Sequence, residues 1–289
     1  MKQSTKKVLK VVAGILLVAV ISVAMYFYLG FFGNPISKLL CKNTAEKYVA
    51  ENYPHCHVER WGYNFKDGNY FANIQCETSP DTNFFIYTDW LGNFRRDSYE
   101  SYVSSGHNTQ NRMMMEYRDL LDKAMPQEEM DFGIDIYFGD ILVQGSYDRY
   151  FSENYPDKVH YMPREEIILD KQYDFTDVSY KYGYVCLYAM DENVSVERAC
   201  EILLTVKQQL NEDNIGFYYI DFVLEKPRKT DGMPNDDETR INIDHFRWDD
   251  IYEDGLAERV QNAHDELTAY YEKMDAEKQK LFDSMDKMN

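Results

Sequence analysis

The sequence predicts an α+β protein in which an N-terminal transmembrane helix is followed by two small α+β modules. Three observations support this fold class. Residues 11–32 contain no charged side chain, and residues 35–124 read as a helix, three short strands and a helix. Residues 126–289 read as a mixed sheet with a crossover helix and a long C-terminal helix.

Residues 11–32 form the apolar segment, with thirteen Val, Ile, Leu or Phe side chains. At about 1.5 Å per residue, a helix of this length covers roughly 33 Å, enough to cross a hydrocarbon core of about 30 Å. The four lysines among residues 1–10 precede it, and positive charge favours the cytoplasmic side. We therefore expect a cytoplasmic tail at residues 1–10, a single-pass helix at 11–32, and the bulk of the chain outside the cytoplasm.

The alternative to an anchor is a cleaved signal peptide. Residues 22–24, Ser-Val-Ala, offer the small residues that a signal peptidase accepts. Cleavage there would leave a strongly apolar new N-terminus from Met25 onwards, which favours retention of the helix. A lipoprotein is excluded because two leucines, not a small residue, precede Cys41. Both remaining interpretations export the rest of the chain.

The charge balance restricts the partners. The whole chain has 31 basic and 50 acidic side chains, and its first 33 residues hold four of the bases and none of the acids. The remainder therefore carries 27 basic and 50 acidic groups, a net charge of −23. Such a surface repels phosphate backbones, so we expect no nucleic-acid partner and favour cationic or neutral ones. An aromatic content of 15% predicts a folded domain.

The first module, residues 35–124, begins with a helix at 36–52. Strands at 57–65 and 70–78 flank Asp67-Gly68, a strong hairpin signal. A two-residue loop there pairs Phe65 with Tyr70 and Glu59 with Cys76. A third strand is predicted at 83–89, followed by a helix from Ser98 that Gly106 is expected to bend or split.

The second module, residues 126–289, is expected to open with turns and short strands, punctuated by glycines and by Pro156 and Pro163. The pattern then predicts a strand at 178–190, a helix at 195–210 capped by Ser195, and strands at 217–224 and 240–245. Strand, helix and strand suggest a parallel βαβ unit. Residues 229–238 read as an acidic surface loop. The helix at 255–287 is expected to pack on its own domain, with self-association as the alternative.

Possible metal ligands are few. His55 and His57 lie two apart on a strand, so both side chains point the same way, but the sequence places no third ligand beside them. The acidic runs 231–238 and 249–254 lack the alternating acids, glycine and distal Glu of a calcium loop. We therefore predict no metal and no cofactor.

Five cysteines lie beyond the apolar segment, so complete intrachain pairing is excluded. Cys41 and Cys76 are both predicted to face the interior of the first module. They could form a disulfide, or remain buried free thiols. The sequence has no Gly-x-Ser-x-Gly, no His-Glu-x-x-His and no phosphate-binding glycine loop. No catalytic residue is predicted.

Several segments resemble the YfjL-like membrane-anchored proteins of Gram-positive bacteria. They are the lysine-flanked anchor, Tyr-Asn-Phe-Lys-Asp-Gly-Asn-Tyr at 63–70, the run 84–90, Glu-Arg-Ala-Cys-Glu-Ile-Leu at 197–203, and Asp-Asp-Ile-Tyr-Glu-Asp-Gly-Leu at 249–256. The first module is also similar to small PepSY-type domains, whose meander ends in an Asp-x-x-Gly-x turn as residues 89–93 do. These resemblances imply a non-catalytic envelope module and supply no active residue.

The sequence therefore predicts a non-catalytic binding or interaction module of the cell envelope, with an envelope protein or peptide as partner. The alternative is an envelope hydrolase whose site lies between the two modules and uses carboxylates such as Asp249, Asp250 and Glu253. Acids gathered in one deep cleft would favour the enzyme, and dispersed acids around an aromatic groove would favour binding.

Overall fold

A computed structural model describes residues 2–145, 160–233 and 235–286. The chain divides into two compact units, an N-terminal unit of residues 1–109 and a C-terminal unit of residues 110–289, which are described separately. The predicted α+β class is confirmed: a long apolar helix, two four-stranded sheets and a long C-terminal helix. The predicted turn at Pro156 and the predicted helix end at Lys287 lie outside the described residues.

Helix α1 (Lys2–Phe32) contains the apolar segment. Every side chain from Lys10 to Phe32 is exposed. Gly33, with φ +71°, ends it in the left-handed conformation that glycine tolerates best. Asn34 then begins the next helix, since its side-chain oxygen accepts a hydrogen bond from the Ile36 N–H at 2.9 Å.

The N-terminal unit packs helix α2 (Pro35–Asn52) against one antiparallel sheet. Its strands are β1 (Cys56–Asn64), β2 (Asn69–Cys76), β3 (Ser79–Thr88) and β4 (Phe94–Asp97), in that spatial order. The buried core consists of Cys41, Ala45, Val49, Tyr70, Ala72, Ile74, Phe84, Ile86 and Val103. The sequence predicted three strands. It missed β4 because this four-residue strand, Phe-Arg-Arg-Asp, has no apolar alternation.

The hairpin register differs from the predicted one. Tyr63 pairs with Tyr70 and Asn64 with Asn69, so the loop has four residues rather than two. Asn64 organises this longer loop: its carbonyl accepts from the Gly68 N–H at 2.8 Å, and its amide donates to Asp67 at 2.6 Å. This register already places Glu59 two residues away from the predicted pairing with Cys76, and a bulge between Val58 and Arg60 then pairs Ile74 with Val58 and leaves Glu59 out of the ladder.

The bulge also decides the disulfide. Beyond it, Cys56 rather than Glu59 lies opposite Cys76, and these two cysteines are bonded. The bridge suggested between Cys41 and Cys76 is therefore wrong. Cys41 is a fully buried free thiol on α2, which matches the alternative interpretation for that residue.

The segment after β4 is split as predicted. A short π-helical turn (Glu100–Ser104) stops before Gly106, whose φ of +75° breaks the helical path, and helix α3 (His107–Ala124) follows. Met113, Tyr117 and Leu121 of α3 are fully buried in the core of the C-terminal unit. The compact units therefore divide at residues 109 and 110, earlier than the boundary at 124–126 that the sequence predicts.

The C-terminal unit contains a mixed sheet in the order β5-β6-β7-β8. Its remaining elements are β5 (Gly133–Ile141), α4 (Phe175–Tyr182), β6 (Gly183–Met190), α5 (Val196–Glu212), β7 (Tyr219–Glu225), β8 (Arg240–Arg247) and α6 (Leu256–Asp286). Strands β6 and β7 are parallel and α5 connects them, which confirms the βαβ unit. The Ser195 hydroxyl caps α5 by accepting from the Arg198 N–H at 3.2 Å.

The strand predicted from Val178 begins later than expected. Asp174 caps a helix instead, because its carboxylate accepts from the Thr176 N–H at 2.9 Å. Phe175, Val178 and Ser179 then share the buried face of α4, and the strand begins only at Gly183. Helix α6 packs on its own domain through Leu256, Val260 and Leu267, as predicted.

Candidate functional site

The candidate site lies on the second face of the C-terminal sheet. Alternate residues of β6 and β7, such as Leu187 and Phe222, face the core beneath α5. The residues between them point to the opposite face. On that face stand Tyr184, Cys186 and Tyr188 of β6 with Tyr219, Asp221 and Val223 of β7.

A bulge in β8 brings three polar side chains together at this face. Ile220 pairs with Phe246 and Phe222 with Ile243, so two residues, Asp244 and His245, lie opposite the single residue Asp221. His245 adopts a left-handed backbone with φ +53°. Its N–H donates to Asp221 Oδ1 at 2.7 Å, which holds the bulge in place.

The three side chains form a compact cluster. One ligand atom each from Asp221, Asp244 and His245 all lie within 4.8 Å of one another. The Tyr184 hydroxyl donates to Asp221 Oδ2, and the His245 ring stacks on the Tyr184 ring with centroids 5.9 Å apart. Asp221 therefore accepts hydrogen bonds at both carboxylate oxygens and is fixed from two sides. We call Asp221, Asp244 and His245 the carboxylate cluster.

Burial dominates the electrostatics of the carboxylate cluster. Desolvation raises the pKa of Asp221 to about 6, although the hydrogen bonds from Tyr184 and the His245 N–H oppose the change. Desolvation, followed by the nearby Asp221 charge, raises the pKa of Asp244 to about 6. Burial and the same carboxylates raise the pKa of Cys186 to about 12 and that of Tyr184 well above its ordinary value. The site therefore favours positive charge and keeps its thiol and phenol protonated.

Two adjoining clefts open onto the carboxylate cluster. One, with a volume of about 430 Å³, is lined by Tyr218, Tyr219, Asp244, Asp250, Glu266 and Tyr270 among others. The second, of about 330 Å³, contains Asp221, Tyr184 and Tyr188 and shares Asp244, His245 and Leu267 with the first. Arg247 also lines the larger cleft, and its guanidinium pairs with the Asp249 carboxylate at 3.0 Å.

Helix α6 forms one wall of these clefts and is fixed in two places, at Arg259 and at His264. Arg259 donates to the carbonyls of Asp250, Tyr252 and Asp254 at 2.7–2.9 Å, which ties α6 to the loop before it. The Asn242 N–H donates to His264 Nδ1 at 3.2 Å, so α6 also covers the backbone edge of β8. The clefts are therefore bounded by regular elements and not by a loose loop.

Most of the residues considered from the sequence lie outside the candidate site. His55 and His57 are both exposed. In the described part of the 231–238 loop, Asp236 and Asp237 pair with Lys229 and Lys226 at the surface.

Of the three acids named for a hydrolase, Asp249 is exposed and pairs with Arg247, and Glu253 is also exposed. Asp250 alone of the three lines the larger cleft. The signal that could have revealed the carboxylate cluster is an acid within an apolar strand, as Asp221 is in Tyr-Ile-Asp-Phe-Val-Leu at 219–224.

The fold defines a two-domain α+β protein. Within the part of the chain that the structure describes, one helix is long and apolar enough, by length and composition, to cross a membrane. The chain belongs to the YfjL-like family. The YfjL-like N-terminal domain matches residues 8–88, and the YfjL-like C-terminal domain matches residues 116–261. The similarity of the first module to PepSY-type domains stays a prediction.

No curated protein matches the chain significantly. Among solved structures, the crystal structure of a DUF5037 family protein from Ruminococcus gnavus ATCC 29149 shares 17% identity, with a TM-score of 0.22. That match covers 63% of this chain and 73% of the other.

Proposed function

We propose that this protein is a membrane-anchored binding protein of the cell envelope, with its N-terminus in the cytoplasm and both domains outside. The uncharged segment 11–32 is helical and exposed along its whole length, which is unfavourable in water and favourable in a bilayer. The four lysines among residues 1–10 set the orientation through their preference for the cytoplasmic side.

The Cys56–Cys76 disulfide supports placement outside the cytoplasm. It joins neighbouring strands β1 and β2 of the N-terminal unit. Disulfides of this kind persist in oxidising compartments and are rare in the reducing cytosol. An exported N-terminal domain accounts for both the apolar helix and the bond.

The C-terminal domain, in this proposal, binds a cationic ligand in the tyrosine-lined clefts. The observation that supports this proposal is the carboxylate cluster, onto which the clefts open. A nearby positive charge stabilises the charged form of two desolvated carboxyl groups, and tyrosine rings attract cations through their faces. The shared chemistry fits a divalent metal ion held by Asp221, Asp244 and His245, or the ammonium group of a peptide partner.

A second candidate function is an envelope hydrolase that uses the same cluster. It is favoured by one observation: the pKa values of Asp221 and Asp244, both raised to about 6, suit proton transfer near neutral pH. Binding is preferred because the Tyr184 phenol and the Cys186 thiol are held protonated, so neither serves as a nucleophile.

The ligand proposal is tested by calorimetry on the full chain in phosphatidylcholine nanodiscs, titrated separately with manganese(II) chloride and n-butylammonium chloride. We expect one probe to bind, and the Asp221→Asn/Asp244→Asn double variant to weaken that binding at least tenfold. The control variant Asp213→Asn removes an exposed acid elsewhere and should leave the affinity unchanged. Binding of neither probe, or equal loss in both variants, would contradict the proposal.

The topology proposal is tested on intact cells whose wall has been removed. Added protease should digest the portion beyond residue 32 and leave a short N-terminal fragment protected. Digestion only after the membrane is permeabilised would overturn the placement outside the cytoplasm.

A further inference from the structure

Exposed apolar side chains gather at one end of the N-terminal unit. We call this the apolar end and define it by Ile36, Leu39, Phe65, Trp90 and Leu91. Ile36 is 69% exposed, Trp90 65% and Phe65 55%. Large apolar side chains that stay exposed together at one end of a domain indicate an interaction site.

The topology explains why these residues meet. In an antiparallel meander, the β1–β2 turn and the β3–β4 turn lie at the same end of the sheet. Phe65 is in the first turn, and Trp90 and Leu91 are in the second. The start of α2 lies at that end too, because the Asn34 N–H donates to the Tyr70 hydroxyl oxygen at 2.9 Å.

The turn that carries Trp90 and Leu91 is held in shape. Asp89 Oδ1 accepts from the backbone N–H groups of Leu91 and Asn93, each at 2.9 Å. The Gly92 carbonyl accepts from the Thr44 hydroxyl at 2.6 Å, which fixes the turn to α2. A side chain at Gly92 would place its Cβ 2.6 Å from that of Leu40. Trp90 is therefore exposed because the turn is fixed in this conformation, and not because the turn is loose.

The apolar end is continuous with the segment that would cross the membrane. The rings of Phe31, at the end of α1, and Phe65 lie 5.9 Å apart. The Cβ position of Gly33, between α1 and α2, lies against the Tyr63 ring. The patch thus begins where the apolar helix ends.

The two domains differ in net charge, and the difference also favours the N-terminal domain as the one that contacts the membrane. Residues 34–109 carry seven basic and nine acidic side chains, a net charge of −2, whereas residues 110–289 carry 20 basic and 41 acidic, a net charge of −21. The acidity that repels an anionic membrane therefore belongs almost wholly to the C-terminal domain. Lys38 and Lys66 lie beside Ile36 and Phe65 in sequence, where an anionic headgroup would be accommodated.

We propose that the apolar end of the N-terminal domain inserts into the outer-leaflet interface of the membrane that α1 crosses. Tryptophan and phenylalanine at the two turns take the positions of an interfacial aromatic belt, with the lysines at headgroup level. This inference rests on the proposed membrane anchoring. It adds that the N-terminal domain lies on the lipid surface and is not held away from it by a linker.

Tryptophan quenching by brominated lipid tests the inference on the full chain in phosphatidylcholine–phosphatidylglycerol vesicles. The chain has three tryptophans, so Trp61→Phe with Trp248→Phe leaves Trp90 as the sole reporter. A second reporter at the same end is Phe65→Trp in a background where all three are Phe. The matched control is Thr78→Trp in that background, because Thr78 is exposed in the β2–β3 turn at the opposite end of the sheet.

Brominated acyl chains are expected to lower the emission of Trp90 and of the Phe65→Trp reporter about twofold, and to leave the Thr78→Trp reporter within about a tenth of its value. A Leu17→Trp reporter in α1 separates the two proposals. Quenching there without quenching at either apolar-end reporter would overturn the surface insertion alone. No quenching in α1 would overturn the anchoring as well. Equal quenching at Thr78→Trp would show non-specific adsorption and also contradict the inference.

Discussion

The most informative perturbation of the candidate site is the substitution Asp221→Asn combined with a change of pH. Asn preserves the shape of the side chain and its hydrogen bonds. Its Oδ1 can still accept from the His245 N–H, and its amide can donate to the Tyr184 oxygen, since a hydroxyl both donates and accepts. The substitution therefore removes a charge and changes little else.

The expected magnitude follows from the raised pKa. The pKa of Asp221 rises from an ordinary value of 3.8 to about 6 through burial. A shift of about two pK units corresponds to about 3 kcal/mol. Because 17% of the side chain is exposed, solvent screening reduces the expected effect to on the order of 2 kcal/mol.

The sign is set by proton binding. Between pH 3.8 and 6 the folded domain holds a proton on Asp221 that the unfolded chain has released. This contribution to stability is present in full below about pH 4 and is lost as the pH rises through 6. Asn does not titrate, so the variant gains stability relative to wild type as the pH rises, by about 2 kcal/mol between pH 4 and pH 8.

Urea unfolding in nanodiscs measures this difference. Trp61→Phe and Trp90→Phe leave Trp248 as the reporter of the C-terminal domain, where it packs edge-to-face on Phe217 at 4.9 Å. The control Asp213→Asn should track wild type at every pH. A constant offset between Asp221→Asn and wild type from pH 4 to 8, or a loss of relative stability with rising pH, would refute the reasoning.

Three further predictions concern stability. Cys76→Ser opens a disulfide that spans 20 residues and should lower the free energy of unfolding of the N-terminal domain by about 3 kcal/mol. Urea unfolding with and without reductant measures the difference, and equal midpoints for the variant and the wild type without reductant would contradict it. Tyr117→Phe removes a buried hydrogen bond to the Gly216 carbonyl and should cost about 1–3 kcal/mol, visible as a lower thermal midpoint, whereas an unchanged midpoint would argue against the bond. Phe222→Ala, at a fully buried position, should cost about 3–5 kcal/mol, and a loss below 1 kcal/mol in urea would show that the core collapses around the cavity.

The elements with strong periodicity were predictable from sequence. Helix α5 was predicted from Ser195, whose hydroxyl does cap it, and the following strand was placed correctly in a parallel βαβ unit. Local signals sufficed there because the helix, its cap and the strand pattern agree. In β1 they conflict: Tyr63 faces the core on one parity and Val58 on the other, and only the bulge reconciles them. The predicted register, with a two-residue loop at Asp67-Gly68, contained no such change of parity.

The candidate site was not predictable in the same way. Asp221 and the pair Asp244-His245 lie on different strands and become neighbours only through the register of β7 and β8. That register contains a bulge that periodicity does not encode. Sequence reasoning instead considered acids adjacent along the chain, such as Asp249 and Asp250, and most of these stay at the surface. Acids adjacent in sequence are usually solvated, whereas the acids that matter here converge from separate strands.

The connectivity of the two sheets has a consequence for the order in which the domains form during synthesis. In the N-terminal sheet each strand pairs with the strand that directly follows it, and all four are complete by residue 97. In the C-terminal sheet, β6 needs both the distant β5 and β7, which lies beyond a whole helix, and the edge strand β8 ends only at Arg247. Local pairing is fast and distant pairing slow. The first domain can therefore be complete, with Cys56 and Cys76 side by side, while the strands of the second are still being made.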